Sequence, residues 1–117
     1  MIATALTIAG SDPSGGAGIQ ADLKAFSALG VYGMAVITAL TAQNTEGVEG
    51  VFALPEGALK GQLDAVLSDI PPTAVKIGML SSAANVEIVW YSLVRYSCDS
   101  VILDPVLTSS SGAALLD

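Results

Sequence analysis

The sequence predicts an α/β fold: a mostly parallel β-sheet with helices on its faces. Three observations carry that expectation. Strand-like and helix-like patterns alternate along the chain, which is how parallel sheets are wound. Hydrophobic residues make up 52% of the 117 and charged residues only 13%, so most elements must be covered on more than one face. Gly-rich or polar loops follow the strands, where such sheets bind their ligands.

The first strand is read over residues 5–9 (ALTIA), and the Gly-rich turn GSDPSGGAG follows it. Ile19, Leu23, Phe26 and Leu29 then recur at helical spacing, and Gly30 ends that helix. Residues 34–40 (MAVITAL) read as a second strand, closed by the polar loop TAQNTEG, and residues 48–54 as a weaker third. Pro55 suits the first turn of a helix whose apolar face is Leu59, Leu63, Val66, Leu67 and Ile70, stopped by Pro71-Pro72. Residues 74–78 form a fourth strand. Ser81 or Ser82 can cap a helix striped by Val86, Val89, Trp90, Leu93 and Val94, and residues 100–104 form a last strand. No repeat or linker interrupts the series, and 117 residues suffice for one domain with a real core.

Composition excludes several classes of function. Four cations stand against eleven acids, a net charge of −7, and no basic stripe exists for a phosphate backbone, so nucleic-acid binding is not expected. The acids are scattered over a solvated surface. Apolar runs are broken well short of the ~18 residues a spanning helix needs. The N-terminus lacks the basic region of a signal peptide, and no membrane partner is expected. Cys98 is the single cysteine and His is absent, which rules out an intrachain disulfide, a Cys/His zinc site and a His-based triad within this sequence. A reducing, cytoplasmic setting is the expectation.

Ligands of such a sheet lie beyond the carboxyl ends of its strands, which selects residues 10–18, 41–45, 78–80 and 104–106. The first loop is not a phosphate-binding GxxxxGK[ST] motif, because the sequence has no Gly-Lys pair. Gly16-x-Gly18-x-x-Ala21 matches a loosened dinucleotide fingerprint, yet Thr38, Ala39, Leu40 and Thr41 stand where the ribose-binding acid belongs. The glycines alone could serve only a sharp connection. Asp22, about one turn into the helix, can either accept hydrogen bonds from an amine or hydroxyl ligand or simply stabilise its helix. Gln43 and Asn44 offer amides suited to a heteroaromatic edge, or form an ordinary turn. Met79 is core packing or a cover for a flat ring. Asp104, ending an apolar strand before Pro105, is placed for a divalent ion or a phosphate, or initiates a turn. Cys98 reads as a packing residue.

LTIAGSDPSGGAGIQADLKAFSALGVYGMAVITALTAQNT, followed by KIGML and VILDPV, closely resembles the hydroxymethylpyrimidine and phosphomethylpyrimidine kinases of thiamine biosynthesis, over essentially the whole chain. The resemblance implies a three-layer, ribokinase-like fold of which residues 1–117 are the N-terminal, substrate-binding half. It implies ATP-dependent phosphorylation of 4-amino-5-hydroxymethyl-2-methylpyrimidine and then of its monophosphate, with Mg²⁺ accompanying ATP and a homodimeric full-length protein. By analogy Asp22 and Gln43 contact the aminopyrimidine edge, Gly10 and Ala17 shape the pocket, Met79 and Val106 pack on the ring, and Asp104 faces the phosphates and metal. Thr41 and Leu107 depart from the residues that relatives often carry, Val and Met. The family's catalytic anion hole and most of its ATP pocket are expected beyond Asp117, so this chain alone is expected to be inactive and to expose an apolar sheet edge. A non-catalytic pyrimidine-binding module and a pyridoxal-type kinase are the alternative readings.

Overall fold

The structure is a computed structural model that describes residues 2–104. Strand β1 (Thr4–Ala9) leads through the Gly-rich turn into helix α1 (Gly18–Ala28), which is followed by β2 (Tyr32–Ile37), β3 (Ala39–Asn44) and β4 (Gly47–Ala53). Helix α2 (Ala58–Asp69), β5 (Ala74–Ile77), α3 (Ala83–Arg95) and β6 (Val101–Leu103) complete the order. Four strands form one sheet in the order β2-β1-β5-β6, parallel throughout, and β3 and β4 form a separate antiparallel pair.

Strand alternation divides the sheet into two chemically different faces. Leu6, Ile8, Val36, Val75 and Ile77 point one way and pack with Leu59, Leu63 and Leu67 of α2 and Val89 and Leu93 of α3. Burying one such side chain contributes about 1.5–3 kcal/mol, so this apolar layer is the main source of stability. The other face lies under α1, where Gly33 of β2 sits against Leu23 and Phe26. The architecture is therefore helix, sheet, helix, as expected.

Three boundaries differ from the sequence reading, each for a local reason. The expected strand 34–40 is two strands, because the parallel register ends at Ala9↔Ile37. There the Gln62 side chain of α2 takes both backbone groups of Ile37, accepting from its N–H and donating to its carbonyl, each at 2.9 Å. Thr38, 1% exposed, turns its hydroxyl to the Met79 carbonyl at 2.6 Å. The chain then leaves the sheet. Second, the TAQNTEG segment is no simple loop: Thr41 to Asn44 belong to β3, and Asn44 Oδ1 accepts from the N–H groups of Glu46 and Gly47 at 2.8 and 3.2 Å to close the hairpin turn. Third, α2 starts at Ala58 rather than Pro55, with the Pro55 carbonyl accepting from Ala58 N–H in the preceding turn.

The remaining helix ends follow expectation. Gly30 has φ +72° just past α1, and the Ser82 hydroxyl caps α3 by accepting from Asn85 N–H at 3.2 Å. Cys98 is half-buried against the apolar core, where burial, with the neighbouring Asp99 charge, pushes its thiol up, as suits a packing residue. Among the described residues no helix is long and apolar enough to cross a membrane.

Candidate functional site

The strand ends and the hairpin enclose a cleft of about 360 Å³. Its rim on one side is the turn after β1, and an Asx-type arrangement holds that turn together. Asp12, 2% exposed, accepts from Ser14 N–H at 2.9 Å, Ser14 Oγ at 2.7 Å and Gly16 N–H at 3.1 Å. Burial pushes its carboxyl up, but the bonds from Ser14, Ala17 and Gly16 outweigh it and hold the group below the usual carboxylate range. Gln20 accepts from Asp12 N–H at 2.7 Å, and Lys24 donates to the Gly15 carbonyl at 3.0 Å, so α1 holds the turn from behind. Gly18 permits the close approach of this turn to β1: with φ +60°, a Cβ there would lie 2.3 Å from the Gly10 carbonyl oxygen.

On the opposite side stands β3. Its polar residues alternate inward, so Thr41 and Gln43 line the cleft while Leu40 and its cross-strand partner Phe52 lie half-exposed outside. The hairpin is tied to the first turn by Ser11 N–H donating to the Ala39 carbonyl at 3.1 Å and by Thr41 Oγ1 donating to the Ser11 carbonyl at 2.5 Å. Met79 closes the floor, 7% exposed, packed with Ala39 and against Gly10.

Charge is concentrated where α1 passes over the ends of β1 and β5. Asp22 Oδ2 accepts from Thr7 Oγ1 at 2.6 Å, and its Oδ1 accepts from Lys76 Nζ at 2.5 Å. Lys76 Nζ also lies 3.9 Å from Asp104 Oδ2, and Asp104 is exposed at the end of β6. Among the described residues that line the cleft, Lys76 is the one cation.

The structure thus brings Gly10, Ala17, Asp22, Gln43, Met79 and Asp104 to one cleft, while Val106 lies outside the described residues. Asn44, weighed with Gln43, serves the hairpin turn instead. Sequence reasoning assigned no role to Asp12, Thr7 or Lys76. Asp12 carried a usable signal, since Asp-Pro-Ser-Gly-Gly is turn chemistry built around an Asx side chain. Thr7 and Lys76 carried none, because a polar residue inside an apolar strand reveals its partner only once the strands are paired. No group of three or more metal-ligating side chains occurs among the described residues. Asp104 therefore offers a single carboxylate, which suits Mg²⁺ only when phosphate oxygens and water supply its other ligands.

A three-layer α/β domain whose cleft lies at the carboxyl ends of the parallel strands, closed from above by an antiparallel hairpin, belongs to the ribokinase-like class of small-molecule kinase folds. Within that class, the chain belongs to the phosphomethylpyrimidine kinase family, whose model matches residues 12–117. It is 56% identical over 112 residues to a hydroxymethylpyrimidine/phosphomethylpyrimidine kinase of Escherichia coli, covering 96% of this chain and 42% of that protein. The crystal structure of a phosphomethylpyrimidine kinase from Clostridium difficile superposes with a TM-score of 0.89 at 56% identity, over 98% of this chain and 50% of that one. A Staphylococcus aureus pyridoxal kinase solved with AMP-PCP and pyridoxal superposes with a TM-score of 0.82 at 36% identity, over 95% of this chain and 42% of that one. The chain thus spans about half the length of the relatives it matches.

Proposed function

We propose that this chain forms the substrate-holding half of an ATP-dependent kinase for 4-amino-5-hydroxymethyl-2-methylpyrimidine and its monophosphate, and that Mg²⁺ accompanies the nucleotide. The observation that carries this reading is the convergence of Asp22, Gln43 and Met79, from three separate elements, on one cleft of about 360 Å³. A carboxylate accepts from an exocyclic amine, an amide both donates to and accepts from a heteroaromatic edge, and an apolar thioether covers a ring face. Gly10 and Ala17 leave room at the first turn, and Val106 would add a second apolar contact. The 56% identity to a kinase named for these two pyrimidines supports the same choice.

Asp104 is read as facing the phosphates, with its carboxylate available to a hydrated Mg²⁺ held jointly by the nucleotide. The metal would neutralise charge on the transferring phosphoryl group. The chain's own residues position the pyrimidine and exclude water around its ring. Phosphoryl transfer depends on positioning and charge stabilisation together, so residues 1–117 alone are expected to bind the pyrimidine weakly and not turn it over. A homodimer belongs to the same reading, supported by the exposed apolar pair Leu40 and Phe52 on the outside of the hairpin.

The test is ATP-dependent formation of the pyrimidine mono- and diphosphate, followed by chromatography, with the protein expressed from its full reading frame and with residues 1–117 alone. Turnover is expected from the first and not from the second. A pyridoxal-type kinase is the second reading, favoured by the similarity to a pyridoxal kinase at 36% identity. Tighter calorimetric binding of pyridoxal than of the hydroxymethylpyrimidine would replace the first reading with the second.

A further inference from the structure

Thr7 of β1 and Lys76 of β5 are direct partners in the parallel register, so their side chains leave the sheet side by side on the face covered by α1. Both end on Asp22, and each takes a different oxygen: Thr7 Oγ1 donates to Oδ2 at 2.6 Å and Lys76 Nζ donates to Oδ1 at 2.5 Å. Thr7 is fully buried, and the Asp22 side chain retains 12% of its exposure. A carboxylate held by only one donor can rotate about its terminal bond. One held through both oxygens from the same side cannot do so without breaking a bond.

An ionised carboxylate has about four acceptor positions. The sheet fills two of them, one on each oxygen, and Asp22 lines the cleft with what remains. Lys76 also lies 3.9 Å from Asp104, so its ammonium offsets the charge of both cleft carboxylates that the Asp12 turn does not occupy.

We propose that Thr7 and Lys76 are positioning residues for Asp22: together they fix which of its lone pairs face the cleft, and so set the preference for a ligand bearing an amino group over one without it. The inference rests on Asp22 accepting from an aminopyrimidine. It adds that the acceptor is aimed by two residues of the neighbouring strands β1 and β5. A merely structural clamp, tying α1 to the sheet through the same bonds, would weaken every ligand alike.

The experiment separates these cases with two ligands, the hydroxymethylpyrimidine with its 4-amino group and the analogue carrying hydrogen in its place, titrated calorimetrically into the protein expressed from its full reading frame. The wild-type protein is expected to favour the amino ligand by roughly tenfold or more. Thr7→Val, which keeps the shape and loses the donor, is expected to lower that ratio by about fivefold with the affinity for the analogue little changed, and Thr7→Ser to restore it. Lys76→Met, at a partly exposed position, tests the proposal independently of the buried site, and Lys76→Arg is its conservative partner. An unchanged ratio in a folded Thr7→Val or Lys76→Met protein, or an equal weakening of both ligands, overturns the positioning role. A wild-type ratio near one overturns instead the reading of Asp22 on which the proposal rests.

Discussion

Replacing Asp12 with alanine removes the acceptor around which the first cleft turn is folded. Among the donors that lose their partner are the N–H and hydroxyl of Ser14 and the N–H of Gly16. Hydrogen bonds to a charged group contribute about 1.5–3 kcal/mol each, but Ser14 and Gly16 lie near the mouth and water can satisfy part of what is lost. A net cost of about 2–4 kcal/mol follows, which in a domain of this size lowers the melting temperature by the order of 10 °C. The pH dependence gives a second handle. The carboxyl is held below its usual range in the folded protein, so its contribution is present above the unfolded pKa, about 3.9, and is lost as pH falls through the folded value. Urea titrations at pH 7 and at successive steps below pH 4 should show wild-type stability falling toward that of Asp12→Ala. Asp12→Asn, with one acceptor oxygen and no charge, should lie between them at pH 7 and show a flatter acid limb. Equal urea midpoints for wild type and Asp12→Ala at pH 7, or parallel acid limbs, would refute the assignment of this carboxylate as the centre of the turn.

Gly18→Ala should be more damaging than any cap substitution, because the new methyl would lie 2.3 Å from the Gly10 carbonyl oxygen at a φ of +60°; loss of at least about 2 kcal/mol by thermal melting is expected, and a neutral result would mean the turn can shift freely. Gln62→Leu keeps the bulk of the side chain and strands both backbone groups of Ile37, a cost of about 1–3 kcal/mol. Hydrogen exchange at the Ile37 amide should quicken well beyond that at Val36. Gln43→Ala removes an amide from the cleft without touching the core, so calorimetry should show roughly tenfold weaker pyrimidine binding with an unchanged melting temperature.

What the sequence reveals, and what it hides, follows from which forces act locally. Leu59, Leu63 and Leu67 announce α2 because a helix with one buried face must repeat its apolar residues at that spacing. Gly30 and Ser82 mark helix ends through backbone chemistry that does not depend on distant partners. Residues 39–44 behave differently. β3 turns Thr41 and Gln43 inward to the cleft and Leu40 outward, so its amphipathicity is inverted relative to a strand that borders a core, and it reads as a polar loop. The break at Thr38 is hidden for a related reason: MAVITAL is uniformly apolar apart from Thr38, and the signal that divides it comes from Gln62, 25 residues beyond the Ile37 it binds. Asp22 was legible as a candidate from its place about one turn into the helix after the Gly-rich turn, and Gln43 from its place after an apolar strand. Thr7 and Lys76 were not, because their meaning depends on a register match between β1 and β5.

Gln62 has one further consequence, for how the sheet can grow. Among the described residues β2 is an edge strand, and an edge offers its open N–H and C=O groups to any neighbouring chain. At Ile37 those groups are already taken by a side chain that mimics the next strand, so an intruding strand would have to displace two 2.9 Å bonds before it could extend past that point. At the other end of the sheet, β6 pairs with β5 alone among the described residues and leaves Ile102 and Leu103 exposed. The β2 margin is thus stoppered near its carboxyl end by a side chain. Strand addition at β2 is thereby cut short before it reaches the hairpin that guards the cleft.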